Sequence, residues 1–300
     1  MWPTRARRLE LPPPCSPAAP PLGFWFDRRV DLSVRGAMRT TNADSALTVG
    51  RSDKAVVDLS RATFMEPVGL VTIAAVVDDA IHNGLEVQVI PPPAYSDCSK
   101  YLHRMGLQQA LNDLGVECTL SPVRRHDTGY NIMELVRFDA DPTEWEGFAD
   151  RVFAILESHL GRAAAITLYE SIAEIGINVA EHSNTDAGFL ALQHYPQRGC
   201  LMFAVADAGV GLRASLGRRY EIDSDDQAVQ LAARRGISGT GQAGRGLGIA
   251  AVIQRSDRGG SVTLWSGQAK GRSTSEMTLR VSACASSFPG TVVAVTLGLE

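Results

Sequence analysis

Apolar residues recur at three- and four-residue spacing from about 163 to 183 (AAAITLYESIAEIGINVAEHS), where Ile172, Ile175 and Val179 form one stripe. That period predicts a helix with a buried face. Along the same stretch Glu170, Glu174, Asn178 and His182 follow one another at steps of four. Residues four apart share a helix face, so these four make a polar ridge roughly 18 Å long at ~1.5 Å per residue. The ridge holds no lysine or arginine, and Ala173, Ile177 and Ala180 flank it. It reads either as a solvated face or as carboxylates and an amide held beside apolar surface.

Elsewhere short apolar runs alternate with helical patterns. Residues 55–59 (AVVDL) predict a buried strand, 65–69 a loop, and 70–81 a helix that His82-Asn83-Gly84 ends. A strand at 86–90 stops at Pro91, and a helix at 96–105 stops at Gly106. Strand–helix–strand–helix order predicts a small parallel or mixed sheet. Residues 116–130 are a polar connector without periodicity. Then come a strand at 131–138, a helix from Thr143 to about 159 opened by Asp141-Pro142, and strands at 187–193 and 200–206 joined by a turn at 196–199.

The section 212–243 is long, polar and carries Gly236, Gly239 and Gly241 near its end, which reads as a mobile lid. A helix beginning near Gly246 includes 247–254, and final strands at 261–266 and 291–297 flank a flexible-looking segment around 267–275. Residues 1–45 are proline-rich and then polar, for which disorder is the default expectation. The expected division is a tail at 1–45, a small domain at 46–116, a linker at 117–130 and a second domain at 131–300.

Composition narrows the function classes. A 300-residue chain with 45% hydrophobic residues can build two cores, and a net charge of −4 leaves no basic footprint for nucleic acid. Five cysteines (Cys15, Cys98, Cys118, Cys200, Cys284) are scattered without metal-ligand spacing, as in reduced thiols of the cytosol. No apolar run approaches the ~18–20 residues of a membrane span. A cytoplasmic protein is expected.

Two glycine-rich signatures carry the candidate chemistry. Asp207-Ala-Gly-Val-Gly211 follows an apolar run, and Gly244-Arg-Gly-Leu-Gly248 precedes an apolar helical run. A carboxylate ending an apolar strand is costly to bury without a partner. With Glu174 and Asn178 upstream, the three pieces in this order resemble the ATP-binding superfamily of gyrase, the heat-shock chaperone, histidine kinases and the mismatch-repair ATPase (the GHKL fold). The motif forms are E-x-x-x-N, D-x-G-x-G and G-x-G-x-G.

The resemblance covers about 131–300 and implies helices packed on one face of a mixed, mostly antiparallel sheet. It implies ATP and Mg2+ as ligands, with Asn178 binding the magnesium and Glu174 as general base. It also implies Asp207 accepting from the adenine amino group, with Gly209 and Gly211 letting the backbone approach the base. Gly244, Gly246, Leu247 and Gly248 would hold the phosphates at a helix N-terminus, and Thr291 would lie near the adenine. Arg245 reads as a solvated lid residue and His182 as a capping or packing residue.

Residues 47–115 resemble the STAS domain of anti-sigma-factor antagonists, through Val57-Asp-Leu59, the loop ending in Gly69, the strand before Pro91, and Tyr101-Leu-His-Arg-Met-Gly-Leu107. Those antagonists carry a phosphorylatable serine in the loop before the helix. Here Pro67 and Val68 stand there without a hydroxyl, and Ser60 and Thr63 are only nearby. The fold class expected is therefore α/β, a small STAS-like domain followed by a GHKL sandwich.

No phospho-accepting histidine helix and no transducer domain is recognisable, so the chain most resembles anti-sigma-factor serine kinases. That implies a serine/threonine kinase using MgATP, with a STAS-domain antagonist or a sigma factor as protein partner and a homodimer left open. The alternative is a nucleotide-dependent interaction switch with little turnover.

Overall fold

In a computed structural model, the structure describes residues 30–49, 54–123, 131–139, 142–182, 187–234, 237, 248–255, 260–273 and 279–299. The protein is α/β, with one mixed sheet, one antiparallel sheet and helices against both.

The mixed sheet has the order β2-β1-β3-β4, from β1 (Val30–Met38), β2 (Leu47–Val49), β3 (Lys54–Met65) and β4 (Glu86–Ile90). β1 and β2 are antiparallel, whereas β1–β3 and β3–β4 are parallel. Between β3 and β4 runs α1 (Pro67–His82), which supplies the crossover that parallel neighbours require. α2 (Asp97–Arg104), capped by the Ser96 hydroxyl accepting from Ser99 N–H, and α3 (Leu107–Asp113) complete this unit.

The unit is larger than expected at both ends. β1 lies inside the stretch assigned to a disordered tail, and its Leu32 and Val34 are buried while Asp31, Ser33 and Arg35 alternate with them. At the other end Val116, Cys118 and Leu120, read as connector, alternate into the same core, with Leu120 N–H donating to Gln108. The rest of the expected linker, 124–130, lies outside the described residues.

The second sheet is antiparallel throughout, in the order β5-β6-β7-β9-β8. Its strands are β5 (Ile132–Asp139), β6 (Ala187–Tyr195), β7 (Cys200–Asp207), β8 (Ser261–Ser273) and β9 (Leu279–Gly298). Period-two alternation divides it into two faces. Leu190, Phe203, Val205 and Val293 face a helical layer of α4 (Pro142–Leu160), α5 (Arg162–His182) and α8 (Gly248–Arg255). Phe189, Ala191, Ala204, Ala206 and Ala294 face the opposite way, into the core of the first unit.

α1 closes that second face. It is buried at every position from Pro67 to Val77, as a helix apolar on all sides must be. One side lies on β1 and β3 and the other on β6, β7 and β9. The two units therefore share one continuous core.

Two further expectations change. The supposed lid begins with packed structure, α6 (Gly211–Gly217) and α7 (Asp225–Ala232), whose Leu216, Val229 and Ala232 are buried in the helix-side core. The segment expected to be flexible around 267–275 instead continues β8 to Ser273, paired with β9 from Leu279. Among the described residues no helix is long and apolar enough to cross a membrane.

Candidate functional site

Along β7 the residues facing the helices are Leu201, Phe203 and Val205, and alternation makes Asp207 the next of that set. The cross-strand register sets Asp207 opposite Thr291 of β9, and Thr291 opposite Ser266 of β8. Three polar residues thus form a line across three adjacent strands, where the apolar floor under the helices ends.

Asp207 is 5% exposed, and its Oδ1 accepts from the Gly209 N–H at 2.8 Å. Burial pushes its pKa up to about 7, while the backbone N–H groups of Gly209 and Thr291 act in the opposite direction. No cationic side chain among the described residues pairs with it. A carboxylate desolvated in this way, with backbone N–H groups but no cation beside it, would be favoured in its charged form by a ligand presenting a further N–H.

Ser266 ties the line to the backbone around it. Its hydroxyl donates to the Gly290 carbonyl at 2.7 Å and accepts from the Leu212 N–H at 2.9 Å. The Thr291 hydroxyl stands 3.4 Å from the same oxygen. Gly211 and Gly290 both have positive φ, 73° and 99°. A side chain at Gly211 would press on the Ser266 hydroxyl, and one at Gly290 on the Asp207 carbonyl and the Gly209 nitrogen. Gly211 is thus required by internal packing at the start of α6, and the Gly209 N–H serves the aspartate itself.

Of the residues singled out in the sequence, Asp207, Gly209, Gly211 and Thr291 come together here. Glu174 is half-buried on α5, one turn beyond an exposed Glu170. Asn178 continues α5, and Gly248 opens α8, which packs beside α5. The side chains of Asn178 and His182, and residues Gly244, Arg245, Gly246 and Leu247, lie outside the described residues. Ser266 and Gly290 were not foreseen. The available signal for Gly290 was Pro289-Gly290 interrupting a β-rich run, which marks a close backbone approach.

No family model matches the chain, and no curated protein matches it.

The expected loop at 65–69 is instead the end of β3 and the first turn of α1, which starts at Pro67, and the second unit covers it. Pro67 and Val68 are buried, and the neighbouring Glu66 is 4% exposed. The Glu66 carboxylate accepts from the Thr40 N–H at 2.9 Å and from Arg198, on the β6–β7 turn, at 2.9 Å. Arg39 stands 3.5 Å from the same carboxylate, and both guanidinium groups lie over the Phe64 ring. Glu66 is the N-cap residue of α1, and its carboxylate is taken up by these partners and makes no capping hydrogen bond to the helix.

Gly290→Ala is expected to cost at least about 2 kcal/mol, from the positive φ together with collision against backbone that cannot yield. Gly84→Ala, with φ 72° and open space around it, should cost only about 1 kcal/mol. Urea unfolding of the two variants checks the difference. Equal losses would mean that the Gly290–Asp207 approach is not tight.

Proposed function

We propose that the second unit binds an adenine nucleotide with its base against Asp207, and that the chain is a cytoplasmic ATP-binding regulator of the anti-sigma-factor serine kinase kind. The observation that carries this reading is the buried Asp207 carboxylate, its pKa raised by desolvation and no cation paired with it among the described residues, in a line with Thr291 and Ser266. The exocyclic amino group of adenine supplies a further N–H, whereas guanine offers a carbonyl at that position. The STAS-like first unit and GHKL-like second unit of the sequence reading are part of the proposal.

In this reading Asn178 offers an amide oxygen to Mg2+, which neutralises charge on the phosphates. Glu174 takes the proton from a partner's serine or threonine hydroxyl as that oxygen bonds to the γ-phosphorus. The bond from phosphorus to the β–γ bridging oxygen breaks, and its electron pair leaves with ADP. Gly244, Gly246, Leu247 and Gly248 hold the phosphates at the entrance to α8. The partner is a separate STAS-domain antagonist or a sigma factor.

Calorimetry with MgATP on the wild type, Asn178→Ala and Asp207→Ala tests the site: binding is expected in the first and lost in both variants. Incubation with γ-labelled ATP and a STAS-domain protein tests transfer. Label found only as free phosphate would end the kinase reading.

A second reading, a nucleotide-dependent interaction switch, is favoured by one observation. The first unit lacks a hydroxyl at Pro67 and Val68, and both are buried at the start of α1, so these positions offer no phosphate acceptor in the chain itself. Tight MgATP binding with neither labelled partner nor free phosphate would select it.

A further inference from the structure

β8 and β9 remain paired well past the sheet body, and this arm touches both the Asp207 site and the first unit. At its inner end Ser266 holds the Gly290 carbonyl and the Leu212 N–H, and so fixes the turn beside Asp207 and the start of α6. One residue further, the register breaks at Gly267, which has φ 58° and leaves no room for a side chain against the Asp225 carboxylate. Asp225 opens α7 and accepts from the Gln268 N–H at 2.8 Å. Gly271 packs directly on Leu279 and on Val229 of α7.

At and just beyond the bulge the arm grips the first unit. The Lys270 ammonium pairs with Asp44, with side chains 19% and 16% exposed. The buried Ser286 hydroxyl donates to the Leu47 carbonyl at 2.9 Å. Asp44 lies in a short 3-10 turn (Ala43–Ala46) that leads into β2, an edge of the first sheet.

We propose that the β8–β9 arm couples the two units: docking of Lys270 on Asp44 holds Ser266, and through it α6 and the Gly290 turn, in the arrangement that forms the Asp207 site. The element with two arrangements is the arm, docked on or released from residues 43–47. Its bulge at Gly267 is the joint, because there the ladder is already interrupted and a glycine conformation is required. The first unit thereby regulates the site of the second, and whatever engages the 43–47 turn alters that site. The nucleotide part of this inference rests on the function proposed above; the mechanical part does not.

Hydrogen exchange on the full chain tests the mechanical part, comparing wild type with Asp44→Asn/Lys270→Met, which removes both charges together. Exchange across 208–217 is expected to rise at least about fivefold, the lower end of ordinary coupling between sites, with β5 and β6 unchanged. Lys54→Met breaks a solvent-exposed pair with Glu86 and should leave 208–217 as in wild type. A rise confined to 43–47 and the arm, or an equal rise in β5 and β6, overturns the proposal.

MgATP calorimetry on the same double variant should show the dissociation constant altered by at least about fivefold. If the wild type binds and the constant is unchanged, the coupling fails. If the wild type does not bind while 208–217 still responds, the nucleotide reading fails and the coupling stands.

Discussion

Asp207→Asn raises the stability of the unliganded chain at pH 8 and leaves it nearly unchanged near pH 4. In the folded chain burial lifts the Asp207 pKa to about 7, whereas an unfolded aspartate titrates near ~3.9. Between those values the folded state holds a proton that the unfolded state has released, so stability falls as pH rises through about 4 to 7. Above that window the carboxylate is charged in both states, and the folded chain carries the whole cost, on the order of 4 kcal/mol for about three pH units.

Asparagine keeps an oxygen for the Gly209 N–H and never ionises, so the difference between wild type and variant should open across this window and flatten above it. Urea midpoints at pH 4, 6 and 8 measure it. Parallel curves would mean that Asp207 is charged without penalty.

The same variant should lose the proposed ligand, because an amide nitrogen would then face the adenine amino group. Binding to the wild type should release protons below pH 7, since a hydrogen bond donated to the carboxylate lowers its pKa. Calorimetry in buffers of different ionisation enthalpy reads that release.

The parts of this fold written in local pattern were legible in the sequence. α5 has helical periodicity, β6 and β7 are compact apolar runs, and Asp207 is conspicuous as a carboxylate ending the second of them. β1 carried its own alternation of Leu32 and Val34 with Asp31, Ser33 and Arg35, but the proline-rich stretch before it suggested that disorder continued. The arm was hidden for a different reason. Its sequence, SGQAKGRS paired with LRVSACASS, has few large apolar residues. What orders it is non-local: Val229 of α7, and Asp44 and Leu47 of the first unit.

The line Asp207–Thr291–Ser266 was likewise only partly legible. It depends on β9 pairing with both β7 and β8, which no local pattern encodes. The division into two domains came out of a linker-like composition, and the polar ends of the connector concealed that both cores meet at α1.

The full chain is expected to unfold in one cooperative transition, and residues 131–300 expressed alone should not fold. Cutting at the expected linker exposes the sheet face that carries Phe189, Trp265, Phe288 and Val292, all buried in the shared core. Each aromatic ring buries roughly 150–250 Å², so the uncovered patch exceeds the few hundred Å² that soluble monomers tolerate. The small residues Ala191, Ala204, Ala206 and Ala294 make that face close-fitting for α1 and leave it little to collapse onto when α1 is gone.

The reverse cut is equally unfavourable. α1 has no polar side to turn to water before Asp78, apart from Thr72. Glu66 adds a charged tie: Glu66→Ala strands the Thr40 N–H and separates Arg198 from its carboxylate, at about 2–3 kcal/mol given that Arg198 is partly solvated.

Scanning calorimetry of the full chain, with dye binding and exchange on the 131–300 fragment, measures these expectations. A fragment with a sharp transition at the temperature of the full chain would refute the shared core. A single transition would mean that the two units unfold together through the core they share at α1. The start of α1 is then tied to the second unit both by that core and by Arg198, which donates to the Glu66 carboxylate.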